Sequence, residues 1–382
     1  MDERLNDVLI VGAGPVGAVC ALALQQQGVE AHVLEAQPAD ARVDTRILAL
    51  SHGSRLILER LGVWARLDDA TPITRIHISQ RGALGVARLS AEEVNVPALG
   101  YVLPYASLTV ALKRALADAG IAVDYGVAVT RIESGSEMAS LHAADGSIHA
   151  APLVVVADGG RGDAAPTPKF ERDYDQVAVV CEVQTELPHA NQAFERFTPE
   201  GPAALLPKGE GYALVWTARR EDAERIAQLP DDEFLAALYR HFGGRQGRFL
   251  QASPRKTFPL KLAYIGSEAA DRVVRIGNAA QTLHPVAGQG FNIGLRDAWE
   301  LADLCGETAL EALGNAAMLH AYARGRRVDV IGGIGFTDFL VRVFSNDIAP
   351  LRHARGLGLL AMEVLPPLKR FVARRMIFGA RG

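Results

Sequence analysis

The stretch VLIVGAGPVGAVCALALQQQGVEAHVLE, residues 8–35, determines the expected fold of this chain. An apolar run, Val8–Val11, is followed by three glycines and then by helix-forming residues that end before Gly28. A second apolar run at 31–35 ends in an acidic residue. Continuous apolar runs are typical of strands buried on both faces of a parallel sheet, and Gly commonly follows the last residue of a helix. The pattern therefore predicts a right-handed strand–helix–strand unit of an α/β fold.

The spacing of the glycines in this unit is typical of a dinucleotide-binding turn. Gly12 permits the tight turn after the strand, Gly14 lets the backbone approach a pyrophosphate, and Gly17 lets the helix pack on the sheet. The helix N-terminus supplies N–H groups and a partial positive charge to phosphates, and Pro15 costs no hydrogen bond there. Glu35 lies where a carboxylate binds ribose hydroxyls. These features predict a dinucleotide site and leave NAD and FAD open.

Two further glycine-containing turns favour FAD. An Asp-Gly pair at 158–159 follows the apolar run at 153–157, and a Gly-Asn pair at 277–278 follows the run at 273–276. A nicotinamide dehydrogenase needs no such additional turn on its dinucleotide domain. A flavin needs extra backbone to hold its ribityl chain and isoalloxazine ring, so we expect FAD.

The pattern changes between these two turns. From 174 to about 265, apolar residues alternate with polar ones, which is typical of an antiparallel sheet with one exposed face. After Gly294 the chain is largely helix-forming. We therefore predict a Rossmann-like FAD-binding domain with a parallel sheet, an inserted, mostly antiparallel β-sheet domain for substrate, and a helical C-terminal segment. The expected ranges are 1–75, 100–165 and 266–330 for the FAD-binding domain, 76–99 and 166–265 for the substrate domain, and 331–382 for the helical segment.

Composition argues against several classes of protein. With 382 residues, 49% hydrophobic and 22% charged, the chain is unlike a disordered protein. A net charge of −4 gives no basic field for nucleic acid. Cys20, Cys181 and Cys305 are odd in number and widely spaced, which indicates reduced thiols, and the histidines show no zinc-ligand spacing. We expect no metal site and, because the charged N-terminus has no apolar signal core, a cytoplasmic protein.

Four motifs, in this order, resemble those of the class A flavoprotein aromatic hydroxylases. They are GAGPVG at 12–17, D-x-R-x-x-A-L-S at 44–51, ADG at 157–159 and GNAAQTLHPVAGQGFNIGLRD at 277–297. Within that family, GNAAQTLHP is similar to the ubiquinone-biosynthesis branch that acts on polyprenylated phenols, the 2-polyprenyl-6-methoxyphenol hydroxylases. The resemblance covers most of the chain.

The resemblance implies FAD contacts for particular residues. At the adenosine end, Gly12, Gly14 and Gly17 would contact the pyrophosphate, Glu35 the ribose and Val129 the adenine. In the middle, Asp158 would contact the pyrophosphate region, and Gly277 and Asn278 the ribityl and phosphate groups. At the flavin, Arg46 would lie near the ring and the path of the reductant, Pro285 would face the ring, and the backbone of Gly288, Gly290 and Asn292 would contact its pyrimidine edge. No side chain is assigned a catalytic role. Asn278 stands where most of the family has Asp, and Asn keeps an acceptor while adding donors. Ala106 stands where many relatives have an Arg that contacts the flavin.

The activity implied by the resemblance is hydroxylation of the aromatic ring of a polyprenylated phenol in ubiquinone biosynthesis. NAD(P)H would reduce the FAD, and O2 would react with it to a C4a-hydroperoxyflavin that the electron-rich ring attacks. An apolar pocket is needed, because water would divert the activated oxygen.

The C-terminal segment suggests how such a substrate is reached. From Arg342 onward there are eight Lys or Arg residues and two acidic ones, on an otherwise acidic protein. A basic, apolar helical segment can lie on an anionic membrane surface or bind partner proteins. We therefore expect peripheral contact with the inner membrane or with subunits of a ubiquinone-biosynthesis complex, and the chain could also form an oligomer.

Three other interpretations remain open from the sequence. The first is a different FAD enzyme of the same fold, such as a prenyl reductase or a halogenase, although the Trp-x-Trp-x-Ile motif of halogenases is absent. The second is an NAD-dependent dehydrogenase without flavin. The third is a non-catalytic scaffold of the quinone-making assembly, for which Ala106 is the supporting residue.

Overall fold

The computed structural model describes residues 6–41, 44–82, 85–160, 162, 166–283, 288–344 and 349–381. Its strands are β1 (Val8–Val11), β2 (Ala31–Glu35), β3 (Ile47–Ser51), β4 (Thr71–Ile73), β5 (Arg75–Gln80), β6 (Val86–Ser90), β7 (Gly100–Pro104), β8 (Val123–Tyr125), β9 (Val129–Ser134), β10 (Ala139–Ala143), β11 (Ile148–Ala151), β12 (Leu153–Val156), β13 (Phe170–Thr185), β14 (Gln192–Thr198), β15 (Gly201–Lys208), β16 (Gly211–Arg219), β17 (Phe249–Ala252), β18 (Lys256–Tyr264), β19 (Glu268–Ala270), β20 (Val273–Arg275) and β21 (Gln281–Thr282). Its helices are α1 (Pro15–Gln26), α2 (His52–Arg60), α3 (Tyr105–Asp118), α4 (Arg220–Gln228), α5 (Asp231–Phe242), α6 (Gln289–Gly306), α7 (Ala316–Phe344), α8 (Ala349–Val364) and α9 (Pro366–Phe378).

The parallel sheet predicted from residues 8–35 is present. β1 pairs in parallel with β2 on one side and with β12 on the other, and β20 pairs in parallel with β12. The spatial order is β19-β20-β12-β1-β2-β8, with β19 antiparallel to β20. The strand before the glycines therefore lies beside strands that come much later in the chain.

The two faces of β1 pack against different layers. Val8 and Ile10 point into a core shared with α1, α3 and α6, whereas Leu9 and Val11 pack towards the small sheet β11-β10-β9. All four β1 residues are buried. Burial on both faces explains why this strand reads as a continuous apolar run.

The predicted antiparallel sheet is also present. Its order is β21-β18-β13-β16-β15-β14-β5-β6, and β17 pairs with β13. All neighbours are antiparallel except β14 and β5, which are parallel. One face packs on α4 and α5 around Trp216 and Phe234. The other face is turned towards the C-terminal helices, where Phe197 stacks on Phe344 with ring centroids 4.0 Å apart.

The predicted helical C-terminal segment consists of α7, α8 and α9, and it covers the antiparallel sheet. Ala373 and Ile377 of α9 pack in a cluster with Leu89 and Leu99. Among the helices of the described residues, none is both long and apolar enough to cross a bilayer. The fold class predicted from the sequence is therefore confirmed.

A buried ion network ties α7 to α6. The Arg326 guanidinium contacts Asp297 Oδ1 at 2.7 Å, Glu300 Oε1 at 2.7 Å and Asp329 Oδ2 at 2.8 Å. Arg296 binds the same Asp329 carboxylate at 2.7 Å. Because Asp297 Oδ2 also accepts a bond from the Gln281 side chain at 2.7 Å, the network reaches the turn that follows β20.

Candidate active site

The first glycine turn has no room for side chains. Gly12 has a φ of 104°, and a Cβ there would lie 2.8 Å from the carbonyl oxygen of Ala157. A Cβ on Gly17 would lie 2.0 Å from the carbonyl oxygen of Gly12. Both positions therefore require Gly, the first for its turn and the second for the close packing of α1.

The start of α1, by contrast, is open. Gly14 is its N-cap, with no side-chain cap and no acidic residue in the first turn. The nearest atom to a Cβ on Gly14 would be the hydroxyl oxygen of Tyr105, at 4.0 Å. The first N–H groups of a helix have no partner within the helix. The turn therefore offers donors and a positive dipole end to an anionic group, and it fits a pyrophosphate.

Glu35 is held against this turn. Its Oε2 accepts a hydrogen bond from the backbone N–H of Ala13 at 2.6 Å, and its Oε1 accepts one from Gln37 at 2.9 Å. The backbone N–H of Val127 donates to the Glu35 carbonyl at 3.0 Å. Val129, at the start of β9, lies two residues beyond that bond and is buried. The structure thus brings the segment leading to Val129 beside Glu35.

The turns after β12 and β20 lie side by side. A Cβ on Gly160 would be 3.2 Å from the carbonyl oxygen of Asn278. The Asp158 carboxylate accepts bonds from Gly160 at 2.8 Å and Gly162 at 3.0 Å, so it organises its own turn. The Asn278 residue is exposed beside it.

Gly277 marks the closest approach of α1 to the turn after β20. Its φ is 59°, and a Cβ there would lie 3.2 Å from the Val16 side chain. Its N–H donates to Asp297 Oδ2 at 3.1 Å. A Cβ on Gly294 of α6 would be 3.2 Å from the Gly277 Cα. Small residues therefore allow α1, α6 and this turn to meet.

Arg46 lies at the first turn of α3. It pairs with Asp44 at 2.6 Å, and its guanidinium lies 5.2 Å from the centre of the Tyr105 ring. Ala106, the next residue, is partly buried in that turn. A guanidinium therefore lies near position 106 even though Ala replaces the Arg of many relatives.

The loop before α6 ends at a helix start that faces a cavity. Gly288 is the N-cap, with a φ of 60°, so the helix begins at Gln289, earlier than the stretch after Gly294 that the sequence predicted to be helical. The described structure gives this N-terminus no side-chain cap, and its first turn has no acidic residue. Gly290 lies in that first turn. Pro285, expected to face the flavin ring, lies outside the described residues.

The Asn292 side chain makes hydrogen bonds that the sequence did not predict. Its Oδ1 accepts bonds from the Ser51 N–H at 2.8 Å and the Ser54 hydroxyl at 2.7 Å. Its Nδ2 donates to the carbonyls of Ala49 at 3.0 Å and Gly288 at 2.6 Å. The side chain thus clamps the loop to β3 and α2, while the expected contact of the Asn292 backbone with the flavin stays a prediction.

A large apolar cavity adjoins this helix start. Its volume is about 750 Å³, and it is lined by β3, by residues 288–292, by one face of the antiparallel sheet and by α7, α8 and α9. The sequence pattern predicted a substrate wall from the sheet. It did not indicate that the C-terminal helices form the opposite wall.

The floor of the cavity is a row of in-register residues across four strands. Ile78 of β5 pairs with Glu195 of β14, Glu195 pairs with Ala204 of β15, and Ala204 pairs with Val215 of β16. Burial raises the pKa of the Glu195 carboxyl to about 8. Glu195 still has some accessible surface, which is the surface that lines the cavity. Sequence reasoning missed this residue, although an acid between Ala193 and Phe197 on one strand face is a signal.

Comparison with known proteins supports the arrangement. Residues 6–330 match a family described as the FAD binding domain. The chain is 34% identical to the ubiquinone hydroxylase UbiL of Rhodospirillum rubrum, covering 97% of this chain and 89% of that protein. It is 30% identical to the 3-demethoxyubiquinol 3-hydroxylase of Escherichia coli, covering 97% and 98%. Its fold is similar to that of an arginine-to-glutamine variant of Klebsiella pneumoniae HpxO complexed with FAD, with a TM-score of 0.75, 19% identity, and 99% and 100% of the two chains covered.

Proposed function

This chain belongs to the FAD-binding domain family and is an FAD-dependent monooxygenase, and from that premise we propose that it hydroxylates the aromatic ring of a polyprenylated phenol of ubiquinone biosynthesis. FAD is the cofactor, and the reductant typical of the family is NAD(P)H. The relatives at 30–34% identity are named as hydroxylases of ubiquinone or its precursors, which supports this substrate class.

In this proposal the FAD is held mainly by backbone. Its pyrophosphate lies at the start of α1 near Gly12, Gly14 and Gly17, and its adenosine lies towards Glu35 and Val129. The turns with Asp158, Gly277 and Asn278 flank the ribityl chain. The backbone of Gly288, Gly290 and Asn292 at the start of α6 would contact the pyrimidine edge of the ring, and Arg46 would lie beside it. The uncapped start of α1, and Gly12 and Gly17, which have no room for a Cβ, support the assignments at the pyrophosphate.

The proposal keeps the division of the chain into three units. The FAD-binding domain is 1–75, 100–165 and 266–330, the substrate domain is 76–99 and 166–265, and the helical segment is 331–382. β5 and β6 pair with each other, and β5 pairs with β14, which supports assigning residues 76–99 to the inserted sheet.

The observation that carries the proposal is the apolar cavity. Bound FAD, once reduced, activates O2 for transfer to the ring. The chain's part is to orient the phenol and to exclude water, which would discharge the activated oxygen as peroxide. A cavity of about 750 Å³ lined by aliphatic and aromatic side chains, with the start of α6 at one end, fits both tasks.

The cavity also offers a route for a prenyl tail. Phe336 and Phe339 of α7 line the cavity and are exposed at the surface, so the cavity opens between the C-terminal helices. Around this opening lies an exposed apolar surface, which we call the helical face; it consists of Val328, Ile331, Phe336, Phe339, Leu357, Leu360, Val364, Leu365, Leu368 and Phe371. Arg370 and Arg374 are exposed on the same helices. We propose that the helical face lies on an anionic membrane surface, from which the tail enters.

The catalytic part of the proposal is tested on the purified, FAD-loaded protein. We expect a flavin absorption spectrum, and we expect NAD(P)H oxidation to be stimulated by a prenylated methoxyphenol with formation of an oxygenated product. The matched control is the same methoxyphenol without its tail, which should stimulate oxidation less. Stimulated NAD(P)H oxidation that yields only hydrogen peroxide and no oxygenated organic product, or protein that never retains FAD, would contradict the proposal.

The membrane part is tested by cosedimentation with vesicles that contain anionic phospholipid. A variant with Phe339→Ser, Leu357→Ser and Phe371→Ser should bind at least about 100-fold more weakly, because each buried apolar side chain contributes roughly 1.5 kcal/mol or more. The matched control replaces exposed apolar residues elsewhere, Ile148, Leu187 and Leu250, with Ser. Equal vesicle binding by the two variants would argue against the helical face as the membrane contact and favour a protein partner there.

A further inference from the structure

Glu195 is an acidic residue on an apolar surface. On β14 it lies between Ala193 and Phe197, which line the same cavity, and its neighbours across the sheet are Ile78 and Ala204. Among the described residues of the cavity floor, Thr217 is the other polar side chain. A stable substrate wall needs no carboxyl at this point, since Leu or Met would fill the same space and avoid the cost of burying an ionisable group.

No compensating charge holds the Glu195 carboxyl. Within the described part of the chain it has no ion pair, and its pKa is perturbed by burial alone. His77 of the neighbouring β5 and Arg196 of β14 itself occupy alternate positions and point to the opposite face of the sheet. Among the described residues, the other charged one that lines the cavity is Arg355 of α8, which donates to the Val343 carbonyl at 2.7 Å and lies 5.9 Å from the Phe344 ring centre.

We propose, resting on the function proposed above, that Glu195 is the residue that binds the phenolic hydroxyl of the substrate and accepts its proton. The phenol O–H bond breaks, its electron pair stays on the phenol oxygen, and a new O–H bond forms on a Glu195 carboxylate oxygen. The negative charge moves into the ring, which becomes a better nucleophile towards the oxygen that the flavin supplies. The proton returns to the phenol oxygen when the product leaves.

The environment of Glu195 suits this proton transfer. A phenol has an ordinary pKa of about 10 and a glutamate one of about 4.3, so an exposed Glu is a poor acceptor for a phenolic proton. Burial raises the pKa of Glu195 to about 8 and so narrows that gap. After the transfer the carboxyl is neutral, the form favoured by an apolar cavity, and it can donate a hydrogen bond to the phenolate.

The test compares the FAD-loaded wild type with Glu195→Gln. The matched control is Glu182→Gln on β13, which removes an exposed carboxyl that pairs with Lys208 at 2.7 Å. In the wild type, kcat/KM for a prenylated methoxyphenol should rise with pH and level off above about 8, because only the ionised carboxyl accepts a proton. Glu195→Gln should lower the plateau about 100-fold, in the range of general-base catalysis, and remove the rise. Glu182→Gln should keep the wild-type profile, the flavin content and the slow NAD(P)H oxidation without phenol.

A second readout does not depend on turnover. A prenylated 4-nitrophenol absorbs at longer wavelength when ionised, so its spectrum reports the protonation state of the bound phenol. Near neutral pH the wild type and Glu182→Gln should bind it as the phenolate, and Glu195→Gln should bind it as the neutral phenol. Identical spectra and pH profiles for Glu195→Gln and the wild type would overturn the role of Glu195 but not the proposed function. A wild type that binds no prenylated phenol would overturn the proposed function and this inference with it.

Discussion

The start of α1 and the floor of the cavity are lined by different parts of the chain. At α1 the lining is backbone: Gly12, Gly14 and Gly17 present peptide groups, and a Cβ on Gly17 would lie 2.0 Å from a carbonyl oxygen. On the floor the lining is side chains, and the row through Glu195 includes Ile, Ala and Val. The first region therefore tolerates no added atom at Gly12 or Gly17, whereas the second tolerates changes of volume but responds to polarity.

This difference indicates how each region recognises its ligand. Peptide N–H groups at a helix start recognise a phosphate by charge and geometry, which are the same in every FAD. An apolar floor recognises a substrate by shape and by exclusion of water, both of which depend on the particular side chains. Substitutions at the start of α1 should therefore impair FAD binding, whereas substitutions on the cavity floor should impair substrate binding.

The largest expected effect comes from the ion network between α6 and α7, which also reaches the cofactor side of the molecule at Gly277. Arg326→Ala leaves the buried Asp297 carboxylate without its cation and leaves Asp329 with Arg296 alone, which should lower the free energy of unfolding by about 3–5 kcal/mol. Because Asp297 also binds the N–H of Gly277, FAD affinity should fall as well. Denaturant unfolding and flavin titration measure the two losses.

The matched control for this change is Arg225→Ala, which removes an exposed arginine paired with Asp222 at 2.8 Å. It should cost less than about 1 kcal/mol. Equal losses for the two variants would mean that the buried network stabilises the protein no more than an exposed ion pair does.

The next largest effect is expected at the glycine turn. Gly17→Ala should destabilise the protein by about 3 kcal/mol and abolish FAD retention, because the new Cβ collides with the Gly12 carbonyl. Gly335→Ala is the matched control: it lies in α7 with open space around it and should stabilise the protein by up to about 1 kcal/mol. Melting temperature and flavin content of the two variants check the contrast, and a Gly17→Ala protein that keeps its FAD would refute it.

A smaller effect, confined to the substrate, is expected from Ala204→Phe on the floor. The added ring fills space beside Glu195, and displacing about two methylene groups of a bound tail costs roughly 1.6 kcal/mol, or about tenfold in affinity. KM for the prenylated phenol should rise while FAD affinity stays the same. An equal loss of affinity for the phenol and for FAD would show that the two regions do not bind their ligands independently.

The smallest expected effect is the pH dependence of stability that Asp329 of the ion network contributes. Burial would raise the pKa of the Asp329 carboxyl, but Arg296 and Arg326 together hold it below its usual value. A lowered folded-state pKa contributes stability that is fully present above the unfolded value, about 3.9, and is lost as pH falls through the folded value. Asp329→Asn should therefore differ most from the wild type in urea midpoint near neutral pH and less as the solution is acidified below about 4. A constant difference across that range would contradict this linkage.

The sequence predicted the cofactor region better than the substrate region, for physical reasons. Gly12, Gly17 and Glu35 lie within a single strand–helix–strand unit, so local spacing carries the information. The floor and the far wall of the cavity meet only in the folded chain, and Phe344 reaches Phe197 from a helix almost 150 residues later. Glu195 could be placed on an apolar face only once the register of β14 was known.

Individual residues show which contacts a sequence motif does not predict. Asn292 lies in a motif that predicted contact of its backbone with the flavin, and the motif did not indicate that its side chain holds Ser51, Ser54 and Gly288. Such tertiary hydrogen bonds join segments that are far apart in the chain, so local spacing carries no information on them. In the same way, the sequence around Ala106 did not indicate that Arg46 lies over the ring of the preceding residue, Tyr105.

The order of strands in the parallel sheet also has a consequence for how the protein is made. β1 leaves the ribosome early, but its neighbour β12 follows about 140 residues later and β20 about 260 residues later. At roughly 5–20 residues per second, the first glycine turn therefore waits on the order of ten seconds to a minute before its sheet can close. During that interval the apolar strand at Val8–Val11 can pair with β2 on one side only, so its other edge stays without its partner β12, and the flavin can bind only near the end of synthesis.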